Sequence, residues 1–145
     1  MAKKADIPAA IFQLRAIELH ELVISRLAPG LQVNNFTFDI GIETNIDQNQ
    51  KVVIVSTLVR ITADDKITEL GRVNCACVFS VQNFEEVIVA KDDHVFELAN
   101  SFAEAINSIA ISTTRGFMAS ELKGTILHYA FLPIIDVKTL SKATI

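Results

Sequence analysis

Between Asp93 and Leu122 the chain reads as a long helix whose interior charges are Glu97, Glu104, Arg115 and Glu121. Asp92 or Asp93 can cap its start, and Glu97 suits the positive N-terminal end. Lys123 and Gly124 mark the stop. A soluble helix with so little charge has more than one face to bury. One face is expected to cover a sheet. Small residues recur at Ala99, Ala103, Ala110 and Ser120, and Gly116 lies in the helix interior. An interior glycine costs about 1 kcal/mol relative to alanine, and close approach of another element is the expected compensation. Another face is therefore expected to meet a second subunit. Ala99, Ala103, Ala110, Arg115 and Gly116 are the candidate positions of that oligomer interface.

The composition points the same way. Half of the 145 residues are hydrophobic, with nine Phe and no Trp. A single domain of this size does not need so much apolar material inside, so part of it belongs at an interface or in an exposed groove. No repeat or linker divides the sequence, and residues 1–145 are read as one domain. The net charge is −4 and the basic residues form no cluster beyond Lys3-Lys4, which argues against a nucleic-acid surface. No segment has signal-peptide character or the length and apolarity of a membrane span. A cytoplasmic protein without membrane insertion is expected.

Ahead of the helix the pattern is β. Phe36, Phe38, Ile40, Ile42 and Ile46 alternate with Thr37, Asp39, Gly41, Glu43 and Asn45, a strand with one apolar and one wet face. Asp47 to Gln50 is a turn. Val52 to Thr62 is apolar and β-branched on both faces, which suits a central strand. Ala63 to Lys66 turns the chain, and Ile67 to Val81 is a third strand with Val73, Cys75, Cys77, Phe79 and Val81 on one side. The segment Ile11 to Leu27 fits either a helix or a strand with a phase slip. Thr125 to Leu132 is strand-like, and Asp136 can cap a last short helix from Val137 to Lys142. Short turns between successive strands predict an antiparallel meander followed by helices, hence an α+β fold.

Catalytic groups are missing from this pattern. His20, His94 and His128 have no Cys, Asp or Glu at metal-ligand spacing. Glu85-Glu86 and Asp64-Asp65 are adjacent pairs that point apart or sit in turns. Ser112-Thr113-Thr114 lacks a nearby base and a nucleophile elbow, and no glycine loop cradles phosphate. Cys75 and Cys77 read as small buried apolar residues, poorly placed for an unstrained disulfide. No enzyme, metal or cofactor is expected.

Three short runs carry a resemblance. Ile109-Ala110-Ile111-Ser112-Thr113-Thr114-Arg115-Gly116, then Lys123-Gly124-Thr125, then Leu132-Pro133-Ile134-Ile135-Asp136 resemble the C-terminal half of SecB-like chaperones. Upstream, Phe12 to Ile17 is similar to the family's first strand, and Gly71 to Val81 to its fourth. The resemblance implies a four-stranded antiparallel sheet with helices on one side. It implies a homo-oligomer built as a dimer of dimers. It also implies an ATP-independent holdase that keeps unfolded client polypeptides from folding before export. The client-binding groove it implies involves Phe36, Phe38 and Ile40 on the second strand, Val73 and Cys75 on the fourth, and Leu140 in the wall formed by the last helix.

In SecB proper, acidic residues on the sheet dock an export motor ATPase. Glu21 matches one such position, but Ser25 and Arg72 stand where two others are expected, and Ser141 to Thr144 replace an acidic tail. These departures argue against motor docking beyond Glu21. They favour a chaperone devoted to one client, such as the antitoxin of a toxin–antitoxin pair, or a phage or mobile-element relative. Two alternatives from other classes are a carrier enclosing a small apolar ligand and a purely structural oligomer of a mobile element.

Overall fold

The computed structural model describes residues 9–26, 35–92 and 95–137. Four long strands come first: β1 (Phe12–Ile24), β2 (Thr37–Asp47), β3 (Val52–Thr62) and β4 (Glu69–Val81). A single helical turn, α1 (Phe84–Val87), leads into a hairpin of β5 (Ile88–Asp92) and β6 (Val95–Leu98). The long helix α2 (Asn100–Glu121) follows. The main sheet has the order β1-β4-β3-β2 and is antiparallel throughout. The strands β2, β3 and β4 form the expected meander, and β1 closes the sheet beside β4.

Side-chain oxygens define the two tight turns. Asp47 Oδ1 accepts the amides of Asn49 and Gln50, and Lys51 takes a φ of 55° before β3 begins. Asp65 Oδ1 accepts the amides of Ile67 and Thr68, with Lys66 at φ 60°. Such Asx contacts supply the backbone's missing partners at a reversal. The Thr68 hydroxyl and these amides hold the Asp65 carboxyl below the ordinary carboxylate range.

The strand reading of Ile11 to Leu27 prevails, and the phase slip is real. The register of β1 against β4 shifts between Leu14 and Ala16 and again between Leu19 and Glu21. Each bulge inserts one residue, Arg15 and His20, which breaks the period of two that would have identified the strand.

Two expectations about the last third are corrected. The helix does not start at Asp92 or Asp93. Asp92 lies in β5, Asp93 lies outside the described residues, and Glu97 lies in β6. Ile88 and Ala90 pair with Leu98 and Phe96, and Ile88, Phe96 and Leu98 pack into the core beside Phe102 and Ile106. Pairing of Val- and Phe-rich segments there outweighs the helical spacing. The helix begins only after Ala99, whose amide donates to Val87 O at 3.2 Å. Secondly, Thr125 to Leu132 is not a strand but a run of turns. The Thr125 hydroxyl donates to Leu122 O at 2.7 Å and accepts the Leu127 amide at 3.0 Å. These local bonds compete successfully with an extended backbone. The stop at Gly124 stands, with φ at +79°. Of the last short helix only Val137 falls among the described residues.

One face of the sheet carries the core. Helix α2 packs across β3 and β4. One half of the core gathers Val53, Val55, Cys77 and Phe79 under Phe102, Ile106 and Ala110. The other gathers Val59, Ile61, Val73 and Cys75 under Ile111, Met118 and Leu122, closed by Leu127 and Leu132.

Candidate functional site

Helix α2 packs mainly on β3 and β4 and reaches β1 at Phe12, whose ring meets Phe102 with centroids 5.2 Å apart. The main-chain groups of the edge strand β2 can be traced. The Val81 amide donates to Lys51 O at 3.0 Å. Main-chain groups alternate sides along a strand. Lys51 and every second residue after it therefore turn toward β4, while Val52, Ile54, Ser56, Leu58, Arg60 and Thr62 turn toward β2. Their partners in register are Asp47, Asn45, Glu43, Gly41, Asp39 and Thr37. The remaining residues of β2, Phe38, Ile40, Ile42, Thr44 and Ile46, direct N–H and C=O to the free edge. Their side chains lie on the helix-covered face and are half-buried. Among the described residues no hydrogen bond reaches these main-chain groups. The edge is unbulged over its whole length. An edge of this kind is a template for a further strand.

A wall stands beside that edge. Leu132, Ile135 and Val137 pack in one cluster with Phe36, Phe38 and Ile40. Arg115 holds the wall in place, donating from Nε to Leu132 O at 2.9 Å and from Nη2 to Pro133 O at 2.7 Å. Ile134, beyond it, is 91% exposed, and Ile126, Tyr129 and Phe131 are also exposed.

The opposite edge differs. On β1 the helix-side residues Leu14, Ile17 and Leu19 are uncovered, Ile17 being 50% exposed. The two bulges interrupt the main-chain row, which hinders addition of a flat strand. This apolar strip escaped sequence reading because the bulges hid the strand.

The sequence-selected positions distribute as follows. Phe36, Phe38 and Ile40 come together along the β2 edge. Val73 and Cys75 lie in the core beneath α2, at 2% and 0% exposure, out of reach of a client while the helix is seated. Leu140 lies outside the described residues. On α2, Ala110 is buried against its own sheet, Ala99 and Ala103 are half-buried, and Arg115 is engaged within its own chain. Gly116 faces outward, and no atom lies within 4 Å of where its Cβ would stand.

Glu21 sits on the other face of the sheet in a chain of ion pairs. Arg72 Nη1 lies 3.4 Å from Glu21, and Arg72 Nε lies 2.9 Å from Glu69. Arg60 bridges Glu69 and Asp39 at 3.5 and 3.9 Å. The row crosses all four strands and rims an open depression of about 390 Å³ floored by Gly41, Leu58 and Asn74. Glu21 and Glu69 are thus held by arginines of their own chain.

Cys75 and Cys77 are both buried and free. The Cys77 thiol bonded to the Cys75 sulfur holds Cys75 down to about 6, and the same bond together with burial pushes Cys77 up. With no solvent access, the pair is a core feature. No group of three or more metal-ligating side chains occurs among the described residues, and no helix there is long and apolar enough to cross a membrane.

These features define an α+β protein whose sheet is covered over its middle strands by one long helix and open along an apolar edge. The fold is that of the SecB-like chaperones. Superposition covers 86% of this chain and 90% of Mycobacterium tuberculosis Rv1957, a SecB-like chaperone solved in complex with a ChAD peptide from the Rv1956 HigA1 antitoxin. The TM-score is 0.55 and the sequence identity 16%. A protein of unknown function from Streptococcus agalactiae aligns over 89% of this chain and all of its own length, at a TM-score of 0.35 and 11% identity. No protein-family model and no curated protein matches the sequence.

Proposed function

We propose that this chain is an ATP-independent chaperone that holds unfolded or precursor polypeptides in extended form. The observation that carries the reading is the β2 edge. Every outward main-chain donor and acceptor there belongs to a residue on the half-buried, mostly apolar face. An extended client can pair with this row and bury alternate side chains against Phe36, Phe38, Ile40 and the wall held by Arg115. Such binding needs neither a nucleotide nor a catalytic group. The shared fold with a SecB-like chaperone solved in complex with an antitoxin peptide supports a polypeptide as the ligand. A single dedicated client, such as an antitoxin, fits better than general export, because Arg72 pairs with Glu21, the one acid that matches a motor-docking position. Activity in the cytoplasm agrees with this reading.

The test is light scattering of a chemically denatured substrate diluted into buffer without ATP. Stoichiometric protein is expected to suppress aggregation; full aggregation in the presence of excess protein would overturn the proposal.

The uncovered strip on β1 and the outward side of α2 are proposed to join subunits, with a dimer of dimers as the expected assembly. Gly116 bears on this directly. Its open surroundings offer no compensation within the chain for a helical glycine. Gly116→Ala is expected to stabilise the isolated fold by about 0.5–1 kcal/mol and to weaken self-association. Sedimentation velocity across a dilution series, alongside thermal melts, measures both. A more stable protein with unchanged assembly would remove Gly116 from the interface.

A further inference from the structure

The stop of α2 uses an imidazole as its acceptor. Gly124, at φ +79°, donates its amide to Nδ1 of His128 at 2.7 Å. The His128 amide donates to Thr125 O at 3.1 Å, which ties the ring's own backbone into the same turn. The ring packs edge-on against Tyr129, with centroids 4.7 Å apart. We propose that His128 is a pH-sensitive latch on the post-helical turn, closed by the neutral imidazole and opened by the imidazolium.

The reason lies in the lone pair. A neutral imidazole has one acceptor nitrogen, and the bond to Gly124 requires that it be Nδ1, with the ring proton on Nε2. Protonation turns Nδ1 into a donor and sets two N–H groups against each other at the distance of the former bond. Among the described residues the Gly124 amide has no second acceptor.

The surrounding charges do not replace this bond. Glu121 and Lys123 at the end of α2 are exposed. Beyond β1, Arg26 is exposed as well. On the strands against which Leu127 packs, Arg72 is held by Glu21 and Glu69 on the far face of the sheet. Among the described residues none of these groups forms an ion pair with His128. The negative end of the α2 dipole favours a cation nearby. A ring swung away from Gly124 keeps that attraction, so acid moves the ring without unwinding the helix. What it releases is the turn that presents Ile126, Tyr129 and Phe131. The latch is a property of the chain alone and does not depend on what those side chains bind.

The test is NMR of the isotope-labelled full chain titrated from about pH 8 to about pH 5, the span in which imidazoles change charge. The neutral ring is expected as the Nε2–H tautomer. The Gly124 amide is expected to shift and to lose exchange protection along the same titration curve as the ring. His128→Asn, whose carbonyl can accept without titrating, is expected to abolish the pH dependence of the Gly124 amide. His128→Ala is expected to leave that amide unprotected at both ends of the range. An Nδ1–H tautomer at the alkaline end, or a Gly124 response that is absent in the native chain or survives in His128→Asn, would overturn the latch.

Discussion

Replacing Thr44 by proline is expected to cost this protein its hold on extended polypeptides while leaving the fold intact. Thr44 lies in the middle of the β2 edge, and its amide points away from β3. Proline there removes no bond of the sheet's own ladder, which is the circumstance in which edge strands tolerate it. It does remove a donor from the outer row and sets a ring where an added strand would lie. A main-chain hydrogen bond is worth about 0.5–1.5 kcal/mol net, and the ring disturbs its neighbours as well. The expected loss of affinity for a fluorescent, unfolded peptide is therefore about tenfold or more, equivalent to about 1.4 kcal/mol. Thr44→Ala, which keeps the amide, is expected to bind within about twofold of the native chain on the same scale. Anisotropy titrations measure affinity, and circular dichroism melts check the fold. Equal affinity for Thr44→Pro and the native chain, with matching melts, would mean that clients do not pair with this edge.

The largest effect on stability is expected at another glycine. Gly71 pairs with Ile24 of β1 and Ile61 of β3, in the most crowded part of the sheet. A Cβ there would stand 2.7 Å from Val23 O and 2.6 Å from Leu127 Cδ1. The leucine can give way only by leaving the core, where it is 1% exposed. The carbonyl belongs to a paired strand and cannot move without disturbing its neighbours. Gly71→Ala is expected to destabilise by about 3 kcal/mol, the upper part of the usual range for overpacking. In a chain of this size that lowers the melting temperature by about 10 °C. A melt within a degree or two of the native value, read beside Gly116→Ala, would show that β1 and the post-helical turn are free to shift. The two glycines thus have opposite expected signs. Their sequences do not announce this; their surroundings do.

The same distinction runs through the whole molecule. Strands β2 and β4 were legible because their apolar residues alternate, β3 because it is β-branched and apolar on both faces, and the turns between them because they carry Asp and Asn. Strand β1 was ambiguous because Arg15 and His20 bulge out of register. The β5–β6 hairpin was read as the beginning of a helix. Its four-residue second strand is too short to show a period, and its pairing with Ile88 and Ala90 outweighs local spacing. In the candidate site, the resemblance joined Phe36, Phe38, Ile40, Val73 and Cys75 in one groove, while periodicity placed each set on one side of its own strand. Neither could tell which strands the helix would cover.

Local chemistry along the chain determined the fold class: a sheet with one apolar face, a long charge-poor helix to cover it, and a glycine stop. Those properties follow from side-chain alternation, turn chemistry and helix ends, all of which act within a few residues. Strand order belongs to the tertiary structure. Placing β1 beside β4 leaves β2 at an edge, and laying α2 on the middle strands buries Val73 and Cys75 while leaving Phe38, Ile40 and Ile42 within reach. Among the described residues no fifth strand of the main sheet answers the main-chain groups of β2. That is a consequence of which residues meet across long separations, and no local pattern encodes it.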